Sequence, residues 1–257
     1  MKTIKLLLVA LLVTSFTQVQ AQTAEEIIAN YYENTGGLEN WQKLEGVRMS
    51  AKVNQGGMEI PLEITQLKNG KQMTVINFQG LELKQNVFDG EVLWSTNFQT
   101  QKAEKSDQET TDMMKLQSAN FPDEFMGYKE KGYTLELLGK ETIDGAETFK
   151  LKLTKKPFMI EGKEVENSST YYFDAENFVP IVVHSEVPSG PGKGMISETK
   201  MSDYQEVEGL YFPFSISQGV KDGQSQPITL DKIELNPQVD DSEFKFPEEI
   251  ATEEKKN

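Results

Sequence analysis

The sequence predicts an α+β protein dominated by antiparallel β-structure. Three observations carry this. Apolar and polar residues alternate with period two through many short segments, Asn-Gly or Asp-Gly pairs fall between them, and only a few stretches combine helical periodicity with a capping signature.

The first residues stand apart from the rest. Lys2 and Lys5 precede an apolar run from Leu6 to Val13, and Val19-Gln20-Ala21 offers small side chains where a signal peptidase needs them. This is the pattern of a secretory signal peptide over residues 1–21, cleaved after Ala21. The run is shorter than the roughly 20 residues that span a bilayer. Gln22 follows the cleavage point, where lipid anchoring would need a cysteine. Export to the periplasm as a soluble protein, with no transmembrane segment in the mature chain, is the expectation.

Residues 22–247 read as one domain. Thr23-x-x-Glu26 forms a capping box ahead of a helix with Ile27, Ile28, Tyr31 and Tyr32 on one stripe, and Gly36-Gly37 ends it. Leu38, Trp41 and Leu44, at a spacing of three, give a shorter helix. Strands follow. Val47, Met49, Ala51 and Val53 alternate with polar residues, as do Met58, Ile60, Leu62 and Ile64, then Phe149, Leu151 and Leu153, and finally Leu210, Phe212, Phe214 and Ile216. Asn69-Gly70, Asp89-Gly90, Asp144-Gly145 and Asp222-Gly223 suit tight hairpins. Pro61 and Pro213 lack a ladder donor, which places them on edges or at bulges. Ser106-Asp107-Gln108-Glu109 reads as a second capping box. It leads into a helix from Thr110 to Ala119 that carries Met113, Met114 and Leu116 and stops at Phe121-Pro122. About ten to twelve strands are expected against two or three helices. Residues 248–257 are charged and aperiodic and read as a disordered tail.

Composition excludes whole classes of function. The net charge of −15 disfavours nucleic acid and anionic membrane surfaces. With no cysteine there is no disulfide framework, thiol nucleophile or thiolate metal site. His184 is the single histidine, so multi-histidine metal sites are impossible, and alternation puts it on a wet strand face with Val182 and Glu186. Ser185 points to the other face and cannot be activated by it. Gly190 to Gly194 imitates a phosphate loop but lacks the Gly-Lys-Ser/Thr ending. Asp240-Asp241-Ser242-Glu243 lacks the spacing of a calcium loop. No metal, cofactor or catalytic residue is expected.

So many strands expose one large apolar face, and the few helices are too short to cover it all. A sheet that curls on itself encloses either packed side chains or a hollow. The pliable Met113 and Met114 suit a covering element over either, and Trp94 suits a core or a cavity wall.

Three segments together resemble a known family. They are Glu26-Ile27-Ile28-Ala29-Asn30-Tyr31 through Thr35-Gly36-Gly37-Leu38-Glu39-Asn40-Trp41; Tyr171-Tyr172-Phe173-Asp174-Ala175-Glu176-Asn177-Phe178-Val179-Pro180; and Asp203-Tyr204-Gln205-Glu206-Val207-Glu208-Gly209-Leu210-Tyr211-Phe212-Pro213 with Asn236-Pro237 and Phe244-Lys245-Phe246-Pro247 after it. Their order resembles the outer membrane lipoprotein-sorting proteins, the LolA and LolB lipoprotein carriers of Gram-negative bacteria. The resemblance implies a curled half-barrel whose concave apolar face, covered by two or three helices, shields acyl chains of a lipoprotein or lipid. It implies a non-catalytic, monomeric periplasmic carrier, with envelope proteins as further partners. Met49, Leu62, Ile64, Val75, Leu83, Trp94, Met113, Met114, Leu116 and Phe214 are the expected cavity lining. A packed envelope interaction module and a carboxylate-based hydrolase are the competing readings. The carriers hold their lid with a strand arginine; here Leu67-Lys68-Asn69-Gly70-Lys71 has lysines instead, and Arg48 lies on an earlier strand.

Overall fold

The computed structural model describes residues 22–247. The expected signal peptide and the expected charged tail lie outside them.

Thr23 caps α1 (Ala24–Asn34) through the anticipated capping box: its hydroxyl accepts from Glu26 N at 3.1 Å, and the Glu26 carboxylate accepts from Thr23 N at 2.9 Å. The stripe of Ile27, Ile28, Tyr31 and Tyr32 is buried. Gly36, at φ 112°, turns the chain into α2 (Leu38–Gln42). A Cβ at Gly36 would strike the Gly209 carbonyl, so only glycine lets this turn press against the sheet.

Thirteen strands form one antiparallel sheet that does not close, a curled half-barrel. β1 (Gly46–Gln55) and β15 (Ser225–Leu235) pair at its centre. From β1 the sheet runs outward in chain order through β2 (Met58–Leu67), β3 (Gln72–Phe78), β4 (Leu81–Phe88), β5 (Leu93–Thr96) and β6 (Ala103–Lys105). From β15 it runs back through β14 (Leu210–Val220), β13 (Ile196–Val207), β12 (Pro180–Glu186), β11 (Ser168–Asp174) and β8 (Ala146–Thr154) to β7 (Thr134–Ile143). The hairpin β9 (Phe158–Ile160) and β10 (Lys163–Val165) interrupts the second meander as a small sheet of its own. Because nearly every link is a hairpin, one long connection remains. Residues 106–133 carry α3 (Gln108–Ser118) and cross from one sheet edge, β6, to the other, β7.

The four Asx-Gly pairs all fall between paired strands. The prolines sit where a ladder is open. Pro213 pairs with Tyr204, next to Asp203 at φ 55°, and lies outside the β14–β15 pairing, and Pro61 lies one residue beyond the last β2–β3 pair, so neither position needs a donor on that side. Contrary to expectation, both lie on interior strands without a bulge, and it is the open stretch of ladder that tolerates them. The cap of α3 is Asp107, whose carboxylate accepts from Thr110 N at 2.7 Å, rather than Ser106.

Period-two alternation gives the sheet two distinct faces. The inner face, under α1 and α2, carries the largest core: Ile27, Tyr31 and Trp41 pack against Leu151, Phe173 and Leu210. The outer face has a second core. Val239, Phe244 and Phe246 fold back onto Met73, Val87 and Trp94, and Trp94 Nε1 donates to the Phe244 carbonyl at 3.0 Å.

Candidate functional site

The site is the inner face, and strand register sets its composition. Leu83 pairs with Ile76, Ile76 with Leu62, Leu62 with Ala51, and Ala51 with Leu230, making one apolar row across five strands. Met49 joins the next row between Ile64 and Ile233, and Val53 links Ile60 to Ile228 and through it to Ile216. Phe214 lies two residues from Ile216 and packs in the same cluster as Leu62, Ala51 and Leu230.

The cover over this face is uneven. α1, α2 and the crossover close its lower part, where the Trp41 ring lies 5.0 Å from Phe212 and Phe125 meets Tyr171 at 4.7 Å. Beyond Trp41, the side chains of Val53, Leu62, Phe214, Ile216 and Ile228 stay half-exposed although their row neighbours Ala51 and Leu230 are buried. A contiguous apolar surface left open to water is where apolar ligands bind. A groove of about 670 Å³ also runs through the cover between α1–α2 and the crossover, walled by Ile28, Tyr32, Leu38, Trp41, Phe125 and Met126.

α3 spans the two halves of the sheet. At its start Glu109 accepts from Glu161 N in the β9–β10 turn at 2.7 Å; at its end Ser118 lies against Gly70 in the β2–β3 turn. Between them Gln72 Nε2 reaches Met114 Sδ at 3.0 Å. Met113, Met114 and Leu116 are half-buried and join none of the core clusters; Thr111 is the only fully buried residue of the helix.

Of the expected lining, Met49, Leu62, Ile64, Leu83 and Phe214 share the inner face. Val75 and Trp94 lie on the outer face: Val75 pairs with Glu63 and Lys84, and Trp94 sits under the C-terminal segment. β3 is apolar on both faces, Met73 and Val75 outward and Ile76 inward, so alternation could not orient it. His184 shares the outer face with Val182, but that face is not wet there as expected: Val182 and Tyr172 are buried, His184 is mostly buried, its Nε2 lies 2.8 Å from Glu198 and its ring is edge-on to Tyr172. Arg48 is also outside, between Glu63 and Glu234 at 3.4 and 3.7 Å, and Lys68 and Lys71 pair with Glu45 and Asp241. Of these cations only Lys68 touches the cover, donating to the Gln42 carbonyl at the end of α2 at 3.3 Å.

An acidic pair on the crossover holds the cover. Asp123 accepts from Tyr32 Oη at 2.8 Å, Tyr31 Oη at 3.2 Å, and the backbone N–H of Phe125 and Met126 at 2.8 and 2.9 Å. Next to it Glu124 accepts from Lys155 Nζ at 2.5 Å and from Tyr171 Oη, and Lys155 also reaches Ser169 Oγ at 3.2 Å. One carboxylate thus ties the crossover to α1 and the other ties it to the sheet. Burial pushes the Asp123 carboxyl above its ordinary range, outweighing donors that favour the ionised form. Burial, with the Asp123 charge second, raises both Tyr31 and Tyr32; burial and then Glu124 raise Tyr171, so all three phenols stay protonated donors. The sequence reading missed this latch. Its one local signal was two adjacent acids inside the apolar stretch Phe121-Pro122-Asp123-Glu124-Phe125-Met126.

No group of metal-ligating side chains occurs among the described residues, and none of their helices is long and apolar enough to cross a membrane.

No protein-family model matches the sequence, and no curated protein sequence matches it. Solved structures do match. A LolA superfamily protein from Nitrosomonas europaea aligns over 88% of this chain and 98% of its own, with a TM-score of 0.52 and 15% identity. The chain has a LolA-like fold. A DUF1329 family protein from Desulfovibrio piger aligns over 87% of this chain and 98% of its own, with a TM-score of 0.54 and 12% identity. At these identities the likeness speaks for the fold alone. The LolA-like half-barrel described here covers its inner face with α1, α2, α3 and the crossover.

Proposed function

We propose that this LolA-like protein is a non-catalytic periplasmic carrier that shields acyl chains of a lipoprotein or lipid on its inner face. The observation that carries the reading is the set of register-matched apolar rows, buried at one end and left half-exposed around Leu62, Phe214 and Ile216. An ordinary packed core would cover such rows. A signal-peptide-like leader supports export, and the resemblance to the lipoprotein carriers supports the acyl cargo. Methylene chains gain about 0.8 kcal/mol per buried CH₂, so a long chain on this surface binds without any polar contact. Mass spectrometry of organic extracts from the purified protein tests the reading. Recovery of acyl-chain species at near one per protein is expected. An extract without acyl species, from a protein that also fails to bind added fatty acid, overturns it.

α3 is the movable part of the cover in this scheme, because its apolar side chains make few core contacts. Replacing Met113 and Met114 together with aspartate is expected to abolish binding of a fluorescent fatty-acid analogue. The β-sheet circular dichroism should persist, since neither side chain belongs to a core cluster. Normal probe binding by the double variant would show that α3 does not cover the ligand.

A further inference from the structure

Most large apolar side chains that face water are gathered at one end of the half-barrel. The connections β1–β2, β3–β4, β5–β6, β12–β13 and β14–β15 all lie at the same end of the sheet by strand register, and the β8–β11 link leaves from that end. Met58, Leu81, Phe98, Met195 and Val220 stand on or beside those five connections, and each is exposed, Phe98 the most at 61%. Away from it, Leu138 in the middle of β7, and Tyr211 and Leu38 of α2 toward the opposite end, are also exposed.

Two further observations give this rim a direction. First, three of the tips extend the inner-face rows. Met58 follows Ile60 and Leu62 along one face of β2; Leu81 follows Leu83 on β4; Val220 has the same parity as Ile216 on β14. The half-exposed part of the inner face therefore runs out to the rim, while α1 and α2 close the other end. Second, charge is distributed unevenly. In a chain of net charge −15, the five turns of the rim carry Lys102, Lys193 and Lys221 against Asp222. The turns at the other end carry Asp89, Glu91, Asp144, Glu176 and Glu208 against Lys68 and Lys71.

We infer that this rim docks the protein on the surface of a lipid bilayer, with its apolar tips in the headgroup–acyl boundary and the open inner face toward the membrane. This rests on the acyl-binding reading for its purpose, though not for its geometry. Neighbouring links are separated by two strands, about 10 Å. The tips are thus spaced points on short turns, several of them glycine-rich, rather than one flat patch. A protein partner concentrates its contacts in a packed central cluster, whereas a fluid interface accepts separated apolar anchors. Turns in which lysines outnumber carboxylates, although Glu59 and Glu82 stand beside Met58 and Leu81, reduce the repulsion that the rest of this acidic surface would meet at lipid phosphates.

Flotation of the mature protein with phosphatidylcholine vesicles tests the inference. The wild type is expected to float with vesicles. A triple variant, Met58→Ser, Leu81→Ser and Phe98→Ser, is expected to partition roughly tenfold less or worse. A control with Leu138→Ser and Tyr211→Ser, exposed away from the rim, should float as the wild type does. Because Met58 and Leu81 extend the inner-face rows, a double variant at the links alone, Phe98→Ser with Met195→Ser, should lower flotation while still binding the fluorescent fatty-acid analogue as the wild type does. A wild type that does not float, or a triple variant that floats equally, overturns the rim as a membrane contact. A protein that floats through the rim but binds no acyl probe would keep this inference and remove the carrier reading.

Discussion

Asp123→Ala is expected to lower the stability of the protein by about 2–4 kcal/mol, the range for stripping a carboxylate from a set of otherwise unpaired donors. The two tyrosine hydroxyls of α1 and the N–H groups of Phe125 and Met126 lose their acceptor together. Asp123→Asn should cost far less, since an amide oxygen still accepts from Tyr32, Phe125 and Met126 and the amide nitrogen can donate to Tyr31. The two variants also separate charge from geometry through pH. Burial raises the Asp123 carboxyl, so the folded state holds its proton more tightly than the unfolded chain does. Stability from this group therefore rises as pH falls from above the raised value toward the ordinary carboxylate value of about 3.9, and is lost again as pH rises. The difference in stability between wild type and the D123N protein should show that slope. Urea denaturation at several pH values from 4 to 8 measures it; a single proton bound only in the folded state gives at most about 1.4 kcal/mol for each pH unit. An alanine variant as stable as the wild type would remove the latch from the account of how the crossover is held.

That latch lies beyond what local sequence patterns specify. Capping boxes, Asx-Gly turns and period-two alternation are local signals, and they placed α1, α2 and the hairpins. Which partner a strand takes is also local in a meander, so a curled antiparallel sheet followed. The latch is not local. Asp123 finds its tyrosines more than 90 residues away, and Glu124 finds Lys155 and Tyr171 at 31 and 47 residues. No spacing rule links such positions. Trp94 and Val75 face outward for a related reason. Their strands are apolar on both faces because the segment around Phe244, 150 residues beyond Trp94, returns to cover the outer one. Alternation orients a strand only when one face is wet. The inner-face residues Met49, Leu62, Ile64 and Phe214 belong to strands of that kind, with Arg48, Glu63 and Ser215 as their outward neighbours.

Phe244→Ala is expected to cost about 3–5 kcal/mol, the usual loss for a fully buried phenylalanine. Phe244 is inaccessible to water, and its own carbonyl holds the Trp94 indole, so its removal opens a void between the C-terminal segment and β3–β5. Phe246, edge-on to Trp94 at 6.0 Å, loses its support as well. Yet this clasp lies on the face away from the proposed acyl site. Below its lowered melting temperature the F244A protein should therefore bind the fluorescent fatty-acid analogue with wild-type affinity. Leu62→Asp should do the reverse. Leu62 is half-exposed, so a carboxylate there stays partly hydrated and the fold persists, while probe affinity falls by roughly tenfold or more because a charge now sits in the apolar row. Thermal melts and probe titrations on both proteins resolve the two effects. If F244A loses probe affinity while still folded, or if L62D keeps it, the ligand does not lie on the inner face. The pairing works because the two faces of one sheet are separated by a single backbone layer. A substitution on either side shares the same strands, leaving side-chain direction as the one variable that differs.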